Sequence, residues 1–323
     1  MSNWYNACNK TASLIRNTIP SQYHSRTFSG IIGDIKVLSS KKAQSLFNRK
    51  KGLGNQYAYL YLTQGIDYGR GYQACAVEAL RDVLGHGLNK ILSGNILDVG
   101  CSVGVTAGVL SFNQIVGFDL FPDLLKTAKL VDSINRTQNY YVAADMTHDW
   151  PFERVFDSVV CGMVCHHLKE QVDVITFFRN VNRVLYRGGS LIITLPAGSI
   201  CTTVQLEHVM SAVENFGFKT DRKLSGLVRS TDDSRSLFWM FQIIAEKITD
   251  KTGNMFISSD FGFQQYRTPE TREEKGDKAR TTIKSVRCMK HNSFELIGID
   301  EMHRLFREKN LVFPVLSACF FIP

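Results

Sequence analysis

Asn95-Ile96-Leu97-Asp98-Val99-Gly100-Cys101-Ser102-Val103-Gly104 reads as a buried strand that runs into a glycine-containing turn and on into a helix. Glycine at 100 and 104 lets the main chain approach a ligand closely and take dihedral angles closed to other residues. A pyrophosphate-binding turn has the spacing Gly-x-Gly-x-x-Gly, whereas the glycines here are Gly100, Gly104 and Gly108. Asp98, just before the turn, would repel a pyrophosphate. It suits a ligand that carries an ammonium group.

Further along, the chain alternates short apolar runs with amphipathic segments, the pattern of βαβ units around a parallel sheet. Strands are predicted at Asn95–Val99, Gln114–Asp119, Tyr140–Ala143, Phe156–Cys161 and Ser190–Thr194, with helices at Val103–Leu110, Pro122–Ser133 and Val172–Tyr186. Leu206–Phe216 reads as a helix, and Phe218–Arg229 and Ser236–Ala245 as an antiparallel edge pair. The fold class is therefore α/β: a Rossmann-like, doubly wound, seven-stranded and mostly parallel sheet, with an N-terminal helical arm and a C-terminal extension.

Acids stand at successive strand ends. Asp119 follows Asp98 by 21 residues, where a carboxylate can accept hydrogen bonds from both hydroxyls of a ribose. Asp145, in Ala143-Ala144-Asp145-Met146, stands where a side-chain acceptor can meet an adenine amino group. The main chain of Met146 can read the ring edge while its side chain packs on the ring face.

With these residues the chain resembles the class I S-adenosylmethionine-dependent methyltransferases, in the group that acts mostly on small molecules. The likeness extends over about residues 90–200. It includes Trp150-Pro151-Phe152, Val155-Phe156-Asp157-Ser158-Val159-Val160-Cys161, Val164-Cys165-His166-His167-Leu168, and the run from Val181 through Arg187-Gly188-Gly189 to Ile193. Ser102 stands where the family's loop usually has a glycine, and Arg187 where a proline is common; the serine could add a hydroxyl contact.

The resemblance implies S-adenosylmethionine as cofactor and S-adenosylhomocysteine as product. Asp98, Gly100, Ser102, Gly104, Asp119, Leu120, Asp145, Met146 and Cys161 are the implied cofactor-binding positions. The implied reaction is an in-line displacement, in which the protein supplies alignment and exclusion of water. A general base is needed only if the acceptor must lose a proton. His166 and His167 are the candidates; His148 and Asp149 are weaker ones, and packing or capping is the alternative role. Cys161, Cys165, His166 and His167 do not read as a metal site, because alternate strand residues point to opposite faces. Tyr68, Tyr72 and Gln73 are candidates for a lid over the acceptor, or for core packing.

Composition bounds the rest. At 44% hydrophobic and 21% charged residues the chain is that of a soluble globular enzyme, and no apolar run reaches the length of a membrane span. The eight cysteines include no Cys-x-x-Cys pair and suit reduced, buried thiols in a cell interior. Residues 1–69 hold nine Lys and Arg against two Asp and Glu, whereas residues 70–248 are nearly neutral. Three regions follow: a basic arm or lid (1–69), the cofactor-binding domain (70–248) and an extension (249–323) ending in a helix at Asp300–Lys309 and an apolar strand within Leu311–Pro323.

The expected partner is a small-molecule acceptor. The basic arm leaves open RNA, which would make this an RNA methyltransferase, and a non-catalytic cofactor binder is the third possibility. The cytoplasm is the expected location. Residues 1–33, which contain no acid, also fit a mitochondrial presequence.

Overall fold

A computed structural model of the chain describes residues 36–37, 72–110, 115–168, 170–198, 201–230, 239–250 and 294–308. The strands are β1 (Lys36–Val37), β2 (Ile96–Val99), β3 (Ile115–Asp119), β4 (Tyr140–Ala143), β5 (Phe156–Gly162), β6 (Leu185–Pro196), β7 (Phe218–Thr220), β8 (Gly226–Ser230), β9 (Trp239–Lys247) and β10 (Phe294–Gly298). The helices are α1 (Tyr72–Leu84), α2 (Leu88–Ile91), α3 (Val105–Leu110), α4 (Pro122–Asn135), α5 (Gln171–Val184), α6 (Thr203–Asn215) and α7 (Ile299–Arg307).

All ten strands form one sheet in the order β1-β4-β3-β2-β5-β6-β9-β8-β10, with β7 also on β9. Pairs from β1 through β6 are parallel; β9, β8, β7 and β10 join antiparallel. Every residue of β2 is buried, and alternate ones feed different cores. Ile96 packs with Leu80 and Leu84 of α1 and Ala107 of α3. Leu97 and Val99 join the core that holds Phe177 and Phe178 of α5, Leu206 and Val213 of α6, and Ile299 and Met302 of α7. A strand apolar on both faces needs helices on both, which is the doubly wound arrangement.

Against the seven strands expected, three more arise. Phe218–Arg229 is broken by a turn: Asp221 Oδ1 accepts from Lys223 N (2.9 Å) and Leu224 N (3.1 Å), so an Asp-centred turn replaces strand pairing. Both halves, β7 and β8, lie on the same edge of β9. Residues 294–298, expected outside the sheet, complete its edge as β10, pairing in register from Phe294↔Ser230 to Gly298↔Gly226. Gly226 has φ +150°, and a Cβ there would lie 2.1 Å from Ile297 O, so only glycine admits this pairing. β1 is the third addition. The rest of the basic arm, including Tyr57, Tyr59, Tyr61 and Tyr68, and the apolar stretch after residue 310 lie outside the described residues.

Two polar devices fix the distal edge. Lys247 is fully buried, and its Nζ donates to Asn182 O (2.5 Å) and Leu185 O (2.8 Å) where α5 passes into β6, and pairs with Asp250 (2.7 Å). At the start of α6 a capping box closes: the Thr202 side chain accepts from Gln205 N, and Gln205 reaches back to accept from Thr202 N (2.9 Å). Thr202→Ala should therefore lower the unfolding free energy by about 1 kcal/mol, read by chemical denaturation.

Candidate active site

The loop after β2 is shaped by its glycines and tied to the next strand. Gly100 (φ +68°) and Gly104 (φ +76°) both have left-handed backbone. A Cβ on Gly100 would lie 2.5 Å from Val164 Cγ2, and one on Gly104 would lie 2.9 Å from Tyr141 Oη. Both positions thus need glycine for conformation and for space. Ser102 also has positive φ (+52°), the usual glycine position filled by a serine that the loop holds in place. Its N–H donates to Asp119 Oδ2 (3.1 Å), and Gly100 N donates to Phe118 O (2.8 Å). The Ser102 hydroxyl is buried with no partner among the described residues.

The three acids predicted from the sequence lie at the C-terminal ends of adjacent strands, or just beyond them. Asp98 is 1% exposed; the Thr106 side chain bonds to its carboxylate, while Oδ2 is buried without a partner among the described residues. Burial raises its pKa to about 7, and the Asp119 charge adds to the rise against the opposing bond from Thr106. Asp119 accepts from Phe121 N at 2.9 Å besides Ser102 N; burial raises it to about 6, against the amides of Phe121, Ser102 and Leu120. Asp145 Oδ1 accepts from Thr147 N (2.9 Å) and Oγ1 (2.8 Å), and its Oδ2 lies 3.3 Å from His148 Nδ1. Leu120 and Met146 are half-buried beside these acids, with Met146 O accepting from Trp150 Nε1 (3.1 Å).

Beyond β5 the arrangement differs from the simplest reading of the sequence. Cys161 turns its side chain into the core shared with α5 and α6, and its Sγ lies 3.1 Å from Cys165 Sγ. Burial, with the Cys165 bond next, pushes its thiol well above the ordinary range. What Cys161 presents to the sheet edge is main chain. His166 and His167 occupy a single 3-10 turn, Cys165–His167, with ring centroids 4.0 Å apart. His167 is exposed; His166 Nδ1 is buried without a partner among the described residues. Burial, and secondarily His167, holds the His166 imidazole well below its ordinary pKa, so it is neutral at neutral pH. Tyr72 and Gln73 open α1; Tyr68 lies outside the described residues. Among the described residues, no group of three His, Cys, Asp or Glu could hold a metal ion, and no helix is long and apolar enough to cross a membrane.

Three residues at this edge were not singled out from the sequence. Met163 has φ +56° and is held there by Thr194, whose carbonyl (3.0 Å) and hydroxyl (3.2 Å) both accept from Met163 N. Gln242 lies in register with Thr194. The signal was a polar residue inside an apolar strand run: Thr194 in Ile192-Ile193-Thr194-Leu195 and Gln242 in Met240-Phe241-Gln242-Ile243.

Residues 97–193 match a family model described as a methyltransferase domain. No curated protein sequence matches the chain. Among solved structures, a TehB-like methyltransferase of Corynebacterium glutamicum is 20% identical, over 60% of this chain and 98% of that one, with a TM-score of 0.44. An S-adenosylmethionine-dependent methyltransferase of Clostridium acetobutylicum is 12% identical, over 60% and 99%, with a TM-score of 0.45. The phosphoethanolamine N-methyltransferase 2 of Haemonchus contortus, solved with phosphomonomethylethanolamine and S-adenosylhomocysteine, is 16% identical, over 63% and 59%, with a TM-score of 0.42.

Proposed function

We propose that residues 97–193, which match a methyltransferase-domain model, belong to a class I S-adenosylmethionine-dependent methyltransferase domain, and that the enzyme methylates a small-molecule acceptor at O, N or C. The observation that carries the cofactor assignment is the pair of unsatisfied buried oxygens at the glycine loop, Asp98 Oδ2 and Ser102 Oγ. A buried carboxylate near its titration point gains most from a cation placed against it. We assign Asp98 to the cofactor's ammonium end, with Gly100 and Gly104 allowing the main chain to come close. Asp119, already orienting the loop through Ser102 N, takes the ribose hydroxyls. Asp145, with Met146 and Leu120, takes the adenine, and Cys161 contributes main chain.

When bound, the cofactor supplies a methyl group made electrophilic by a sulfonium. The task left to the chain is to hold the acceptor in line and keep water out. Neutral His166 is able to accept a proton at Nδ1 from an O–H or N–H acceptor, with the low basicity that its burial imposes. Tyr72 and Gln73, at the start of α1, are assigned to the acceptor's cover, together with Tyr68.

Calorimetry with S-adenosylmethionine tests the reading. Binding is expected in the micromolar range, and Asp119→Ala should weaken it about tenfold or more. No binding at millimolar cofactor would refute the cofactor site. Incubation with methyl-labelled cofactor and separate metabolite and RNA extracts tests the acceptor: label is expected in the metabolites. Label confined to RNA would transfer the basic surplus of residues 1–69 to a phosphate-binding role.

A further inference from the structure

On the sheet face covered by α1 and α3, residues of β5, β6 and β9 align in rungs. Val160, Ile192 and Ile244 form one rung, buried and apolar. Two residues further along, the same face carries Gly162, Thr194 and Gln242, again in register. The next pair, Pro196 and Met240, is apolar once more. A polar rung is thus set inside an apolar column, with Thr194 at 3% exposure and Gln242 at 0%.

The hydrogen bonds of this rung are incomplete in a particular way. Gln242 Nε2 donates to Leu224 O (2.8 Å), a carbonyl that only a donor can satisfy, and this fixes which end of the amide is which. Gln242 Oε1 is then buried with no partner among the described residues. Thr194 Oγ1 accepts from Met163 N, which leaves the hydroxyl hydrogen to donate elsewhere. Gly162 is buried, and a Cβ there would be in ordinary contact with Thr194 Oγ1 at 3.9 Å, so no side chain of its own separates it from that hydroxyl. β2 and β5 pair up to Val99↔Cys161, the residues just before Gly100 and Gly162 in their strands. The rung thus lies one residue beyond the last paired residues of β5 and β2, the latter being the strand that leads into the glycine loop. A role confined to holding the sheet together is met by the bond to Leu224 and leaves the Gln242 oxygen unused, at the cost of an unsatisfied buried acceptor.

We propose that Gln242 and Thr194 form the recognition subsite for the methyl acceptor, and that the acceptor carries an N–H or O–H group that donates to Gln242 Oε1. The Thr194 hydroxyl donates to a neighbouring lone pair of the same molecule, and Gly162 puts no side chain of its own beside that hydroxyl. This rests on the small-molecule methyltransferase reading above.

The test uses the full chain, methyl-labelled S-adenosylmethionine and a small-molecule cell extract fractionated until one labelled acceptor is isolated. Gln242→Met removes the oxygen, together with the donor to Leu224 O, at similar volume, whereas Gln242→Glu, protonated in this buried setting, keeps both an acceptor and a donor to Leu224 O. Gln242→Met is expected to raise the KM for the acceptor about tenfold or more, with kcat and cofactor affinity within about twofold of the parent. Gln242→Glu should restore most of the loss. A Gln242→Met KM within about twofold of the parent overturns the proposal, as does a labelled acceptor with no N–H or O–H group. If the Gln242 variants do not fold, Thr194→Val against Thr194→Ser decides by the same KM comparison. Failure of the underlying reading looks different: the parent chain then binds no cofactor or labels no metabolite, and the subsite falls with it.

Discussion

Asp98→Asn should make the ligand-free protein more stable while weakening its hold on S-adenosylmethionine. Burial raises the Asp98 carboxyl from an ordinary value near 3.8 to about 7. The folded chain therefore keeps a proton there that the unfolded chain gives up between about pH 4 and 7. The stability this group contributes is full below the unfolded value and is lost as pH rises through the folded one. At pH 8 the wild type holds a desolvated charge with one oxygen unpaired; asparagine has no charge to desolvate. The expected gain is about 1–2 kcal/mol, a few degrees in Tm, and it narrows toward pH 5, where the wild-type carboxyl is protonated in the folded state.

The cofactor should respond in the opposite sense. With the carboxylate gone, affinity should fall about ten- to hundredfold, as for a lost charge-assisted hydrogen bond. The wild type should bind more tightly as pH rises from 5.5 to 7.5, about as far as Asp98 ionises, with Asp119 (about 6) adding at the lower end. The variant should keep only the smaller Asp119 dependence. Thermal melts and calorimetry at three pH values read both effects. A variant that loses stability and binds normally would place the ammonium elsewhere.

Gly100→Ala should be the most disruptive single methyl group in the loop. Two costs coincide there: left-handed backbone at φ +68°, and a Cβ only 2.5 Å from Val164 Cγ2. Valine is branched at Cβ and has no flexible end to swing aside, so the loop or the 3-10 turn must move. The expected loss is about 3 kcal/mol, roughly half from backbone and half from overlap. Movement of the loop also draws Ser102 N away from Asp119, so cofactor affinity should fall by about tenfold or more. Adding Val164→Ala should recover the steric half of the stability and leave the backbone half. A single variant that melts with the wild type, or a double variant no better than the single, would contradict the close approach of Gly100 to Val164.

The sequence showed the parallel centre because its signals are local: Ile96-Leu97-Asp98-Val99 is a buried run ending at an acid and a glycine, and the pattern recurs at Asp119. The distal half is set by partners remote in the chain. β10 pairs with a strand more than sixty residues earlier, and nothing within Phe294–Gly298 announces that. The break in Phe218–Arg229 was written in Asp221 and the residues after it, but the apolar alternation on either side concealed it. Side-chain direction was the other blind spot. Cys161 and Asp98 are each the last residue but one of a strand, yet opposite parity sends the thiol into the α5–α6 core and the carboxylate to the α1–α3 face. Gln242 and Thr194 lie inside predicted strands, and a polar group in an apolar run gains meaning only once its neighbours across the sheet are known.

Without β10, β8 would present five residues of open main-chain donors and acceptors at the margin of a wide sheet. Such a margin recruits like strands from other molecules. β10 occupies it along its whole length, and the chain then turns at once into α7, whose Asp300, Glu301, Arg304 and Arg307 bring mixed charge next to the new margin. The stretch that looked like an appendage thus covers the main chain of β8, and a fragment ending before residue 294 would expose a template for aggregation.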